Sequence, residues 1–99
     1  MTRAYLQIVA GVRVGEKFPL PETMPFVIGR KKGDLLLPDP QVSGVHARIL
    51  FRDGAFVLQD LNSTNGVYVN EEKVGERELQ DNDVVFLGKK GTVKIIYHQ

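Results

Sequence analysis

Cysteine is absent from all 99 residues, so the chain can build neither a disulfide framework nor a thiolate metal site. That absence fits a reducing, intracellular compartment, and a cytoplasmic location is expected. No stretch approaches the roughly 18 apolar residues of a membrane span. The opening MTRAYLQIVAGVRVG breaks too soon into charged, alternating sequence to read as a signal peptide. Without a secretory signal, the glycosylation-like tripeptide Asn62-Ser63-Thr64 is a coincidence of composition. Two histidines are too few for a metal cluster. There is no glycine-rich loop of P-loop spacing and no G-x-S-x-G elbow around a nucleophilic serine. No metal, cofactor or catalytic residue is therefore expected, although Ser43 and His46 invite a hydrolase reading. Long segments free of glycine and proline are missing too. The longest, residues 76–87, runs for 12 residues and shows no 3.6-residue repeat, which leaves no room for a helix beyond a single turn.

What is present is a soluble globular composition, 42% hydrophobic and 25% charged, of a size that makes one domain. The domain is taken as residues 1–99 with its core over about 5–97. The net charge of +1 is unevenly spread, with residues 1–52 at +4 and residues 53–99 at −3. Arg30-Lys31-Lys32 is the densest basic point and 71–83 the acidic stretch, an asymmetry compatible with an anion site in the first half.

Short alternating segments separated by turn residues predict an all-β sandwich or barrel. In YLQIVA, Leu6, Ile8 and Ala10 fall on one side and Tyr5, Gln7 and Val9 on the other. VHARILFRDGAFVLQDL reads as a hairpin about Asp53-Gly54. Val45, Ala47, Ile49 and Phe51 share one face, and His46, Arg48, Leu50 and Arg52 the other. A second turn is expected at Glu71-Glu72. Phe51, Phe56 and Phe86 fall at positions suited to the core. A nucleic-acid surface needs basic residues interleaved with exposed aromatics on a strand face, so this placement argues against nucleic acid.

A sandwich presents its loops at two ends, and three loops carry more polar residues than turning requires: Gly29–Asp34, Asp39–His46 and Asn62–Gly66. Arg30, directly after the strand FVIG, offers a planar fork of donors that matches phosphate oxygens in pairs. Ser43 and Thr64 offer hydroxyls and Asn65 an amide. Taken singly, each also has an ordinary role on the surface or in a turn, and His46 at a strand start suits bonding to loop backbone.

In combination they form a spaced set. Ser43 follows Arg30 by 13 residues, His46 lies three further on, and Thr64 stands 18 beyond His46. With DPQVSGVHARI and FVLQDLNSTNGVYVN, this set resembles the forkhead-associated (FHA) domain family from about Tyr5 to Tyr97. The resemblance implies a β-sandwich of about eleven strands that docks a threonine-phosphorylated protein or peptide across the loops at one end. It implies phosphate contacts from Arg30, Ser43 and Thr64, and a bond from Asn65 to the peptide main chain. Gly29, His46 and Gly66 support the loops. Arginine or asparagine often follows the serine in this family. Here Gly44 takes that place, which leaves its N–H, with Lys31 and Lys32, as auxiliary contacts. The expected partner is thus a phosphoprotein in signalling, with neither nucleic acid nor a membrane involved. Similar domains are frequently fused to other modules, so the chain also fits as part of a larger protein. The alternative keeps the fold but binds through another surface, independently of phosphate.

Overall fold

In the computed structural model, which describes residues 4–89 and 91–99, eleven strands form two sheets, and no helix occurs among the described residues. The strands are β1 (Tyr5–Ala10), β2 (Lys17–Pro19), β3 (Phe26–Gly29), β4 (Leu35–Leu36), β5 (Ala47–Arg52) and β6 (Ala55–Asp60). They continue as β7 (Val67–Val69), β8 (Glu72–Val74), β9 (Glu76–Glu78), β10 (Val84–Leu87) and β11 (Lys94–His98). The six-stranded sheet runs β2-β1-β11-β10-β7-β8 and the five-stranded sheet β4-β3-β5-β6-β9. All pairings are antiparallel except β3 with the two-residue β4.

The inner faces follow the period-two pattern of strands. Leu6 and Ile8, Ile95 and Tyr97, and Val85 and Leu87 from one sheet are buried. They pack with Ile28, Ile49, Leu58 and Phe56 from the other in one hydrophobic cluster. The Asp53-Gly54 turn closes the β5–β6 hairpin with both residues at positive φ, 52° and 80°, as a primed turn requires.

Four details differ from the sequence pattern. β5 starts at Ala47, so alternation fails just before it: Val45 is 39% exposed and His46 completely buried. A bulge between Ile8 and Ala10 shifts the β1–β11 register and ends the clean alternation of β1. The β7–β8 turn falls one residue early, on Asn70 and Glu71 at φ 50° and 72°, with Glu72 already in β8. Finally, Phe86 lies outside the core cluster. Val85 and Leu87 take the inward positions of β10, which turns Phe86 to the outer face.

The strand directions gather the β1–β2, β3–β4, β4–β5, β6–β7 and β10–β11 connections at one end of the sandwich. All three polar loops singled out in the sequence lie there.

Candidate functional site

The β3–β4 and β4–β5 loops are zipped together through their main chains. Arg30 N–H donates to the Ser43 carbonyl at 2.8 Å, while the Lys31 and Lys32 N–H groups share the Gly44 carbonyl at 3.1 and 3.0 Å. Such an approach needs a residue without a side chain at the end of β3. A Cβ on Gly29 would lie 2.3 Å from the Gly44 oxygen and 2.4 Å from the Lys32 oxygen, well inside contact distance. The backbone of Arg30 is thereby fixed, while its side chain is exposed. Among the described residues the guanidinium has no hydrogen-bond or ion-pair partner.

His46 joins this pair of loops to a third. Its Nδ1 accepts the Ser43 N–H at 3.0 Å, so the proton of the neutral ring sits on Nε2. Nε2 donates to the Gly66 carbonyl at 2.8 Å. The backbone of His46 extends the tie, with its N–H on the Ile28 carbonyl and its own carbonyl receiving the Leu61 N–H. One buried imidazole therefore sets the separation between the Ser43 and Gly66 loops.

The β6–β7 loop is shaped by its own polar residues. Asp60 accepts the Ser63 N–H at 3.1 Å, and Ser63 Oγ accepts the Gly66 N–H at 3.0 Å, satisfying backbone groups locally. Thr64 N–H then donates across to Ser43 Oγ at 3.0 Å. That bond uses the Ser43 hydroxyl as acceptor, so its proton is available to a ligand. The Asn65 amide donates to the Gln41 carbonyl at 3.0 Å, and its oxygen has no partner among the described hydrogen bonds.

Arg30, Ser43 and Thr64 are thus brought to one locality, Arg30 and Thr64 exposed and Ser43 half-buried. Lys31 and Lys32 are exposed at the same tip. Carboxylates at this end are occupied internally. Asp34 accepts the Val27 N–H, Asp39 the Gln41 N–H and the Thr92 hydroxyl, and Asp60 the Ser63 N–H. Unpaired cations over engaged carboxylates make an anion site.

Sequence reasoning overlooked the β10–β11 connection. Gly88 N–H donates to the Gly66 carbonyl at 2.9 Å. A Cβ on Gly88 would meet Asn65 Cβ and Gln41 Oε1, each at 3.2 Å. Gly88 was the only signal available, and a glycine after a strand reads simply as a turn.

A family model described as the FHA domain matches residues 26–88. The oxoglutarate dehydrogenase inhibitor of Corynebacterium efficiens is 33% identical over 86 residues, 87% of this chain and 61% of that protein. The chain thus spans about three fifths of that relative's length. Among solved structures, an FHA domain studied for phosphothreonine-dependent interactions is 36% identical. It superposes with a TM-score of 0.85 over 99% of this chain and 97% of its own. The FhaA FHA domain, complexed with the intracellular domain of Rv3910, is also 36% identical, with a TM-score of 0.83 covering 96% and 99% of the two chains.

Proposed function

The chain belongs to the FHA domain family, and from that premise we propose that it binds threonine-phosphorylated peptides or proteins through its loop end, as a non-enzymatic module of signalling interactions. The observation that carries this reading is the unpaired Arg30 fork held, by main-chain bonds, next to a Ser43 hydroxyl that still has a proton to give. Arg30 grips the phosphate, Ser43 and Thr64 donate to it, and Asn65 exchanges its bond to Gln41 for one to the peptide main chain. Lys31, Lys32 and the Gly44 N–H add to the local positive field.

The same geometry argues against hydrolysis at Ser43. Both nitrogens of His46 are taken, one by the Ser43 N–H and the other by the Gly66 carbonyl. Neither is left to accept a proton from the hydroxyl, so His46 is not placed to act as the general base that a serine nucleophile needs.

A phosphate carries about −1.5 to −2 charges at neutral pH, and hydrogen bonds to charged groups contribute roughly 1.5–3 kcal/mol each. Arg30→Ala should weaken binding of a degenerate phosphothreonine peptide pool by about tenfold to a hundredfold in calorimetry, and Ser43→Ala by less. Unchanged affinity in Arg30→Ala would remove the assigned site. A pocket that buries the threonine methyl would favour phosphothreonine over phosphoserine by about 0.8 kcal/mol, roughly fourfold.

A further inference from the structure

The outer face of the six-stranded sheet carries a feature that the phosphopeptide reading does not use. Strand register aligns Lys94 with Phe86, Phe86 with Tyr68, and Tyr68 with Lys73. Four adjacent strands thereby present a cation, two rings and a cation in one line. At strand spacings of about 4.7–4.9 Å the line is roughly 14 Å long. All four residues are half-buried or exposed, and their neighbours Val85, Leu87, Val67 and Val69 are the ones turned into the core. Tyr68 and Phe86 floor a groove of about 300 Å³, with Lys89 and Glu71 also lining it. None of the other outward residues of β1, β7, β10 and β11 is a carboxylate.

We propose that the row Lys94–Phe86–Tyr68–Lys73 is a stacking site for single-stranded nucleic acid. The sequence pattern excluded such a surface because it assigned Phe86 to the core. The structure turns that half-buried ring to the outer face, in register with Tyr68 and in line with Lys94 and Lys73, an interleaving of rings and cations of the kind base-stacking platforms use. A base rests on the Tyr68–Phe86 pair, and the phosphates on its two sides meet Lys94, Lys73 and Lys89. An acidic peptide would satisfy the lysines but brings no planar ring to the aromatic pair. Glu71, at the groove's rim, opposes any polyanion.

Fluorescence anisotropy with labelled decathymidylate and decauridylate tests the site on the intact chain. Binding is expected at low salt, with a log–log salt slope of about −2 from three lysines at roughly −0.7 each. Lys73→Gln with Lys94→Gln should weaken it at least fivefold without touching the core, and Phe86→Leu should weaken it comparably. Glu71→Gln should tighten it, and Arg30→Ala should leave it unchanged. The proposal is overturned by absent binding, by loss of binding in Arg30→Ala with the row variants unaffected, or by an oligoglutamate competing as well as unlabelled decathymidylate. The last result would assign the row to acidic proteins instead.

Discussion

Gly29 has no space for even one methyl group, because two carbonyl oxygens lie within 2.4 Å of where it would sit. Gly29→Ala should therefore push the β3–β4 and β4–β5 loops apart. The expected cost is about 1–3 kcal/mol in urea unfolding, together with a loss of phosphopeptide affinity out of proportion to that cost. Gly44 presents the opposite case, with nothing within 4 Å of an added Cβ. Gly44→Asn should fold as the parent does and strengthen phosphopeptide binding by about two- to fivefold through an added donor, readable by calorimetry. His46→Ala deletes a fully buried ring and strands the Ser43 N–H, so about 2–4 kcal/mol of stability should go with it. At this scale residue types were legible and partners were not. Arg30, Ser43 and Thr64 each offered suitable chemistry, and only their combined spacing, through its resemblance to the FHA family, marked them as a candidate site. That Thr64 meets Ser43 through its amide, or that Asn65 is held by the Gln41 carbonyl, depends on loop conformations that no local periodicity encodes.

Between elements, two polar clusters do work that apolar packing does elsewhere. On the outer face of the five-stranded sheet, Arg48 donates to Gln59 at 2.7 Å, Gln59 to Glu76 at 2.8 Å, and Arg52 to Glu76 at 2.7 Å. This chain crosses β5, β6 and β9, and Val57 in their midst is only 4% exposed although it stands outside the core cluster. Long side chains with apolar stems cover such a position. The second cluster ties the β7–β8 turn to the β9–β10 turn. Asp83, 5% exposed, accepts from Asn70 at 2.8 Å, from Gln80 N–H at 2.9 Å and from Arg77 at 3.2 Å. Asp83→Asn should cost about 2–3 kcal/mol by denaturant midpoint, since it exchanges charge-assisted bonds for one misplaced donor. Alternation identified β1 and the β5–β6 hairpin, and the Asp53-Gly54 dipeptide its primed turn, while the two-residue β4 and the charged β9 carry no such signal. Alternation failed at His46, at the β1 bulge and at Phe86, where a loop bond, an extra residue and the choice of face depend on partners distant in sequence.

Over the whole molecule, these groups set how stability responds to pH. Burial pushes the Asp83 carboxyl up, but the Gln80 N–H, Arg77 and Asn70 outweigh it and hold the group below the usual carboxylate range. A depressed folded-state value means that its stabilisation is present above about pH 4 and fades as the pH falls through the lowered value. Urea midpoints should drop on acidification through that window, and less steeply in Asp83→Asn. At the other extreme, burial, with Asp81 and Asp83 nearby, pushes the Tyr97 phenol up to about 12. Its raised value makes the folded state lose ground as pH climbs from about 10 towards that value, and Tyr97→Phe should flatten the loss. The main-chain zipper at the loop end has a different reach. Arg30, Lys31 and Lys32 are anchored by their amides alone, so what they recognise and how they are held are separate properties. That tip can be rewritten for another ligand, one side chain at a time, while its frame stays put.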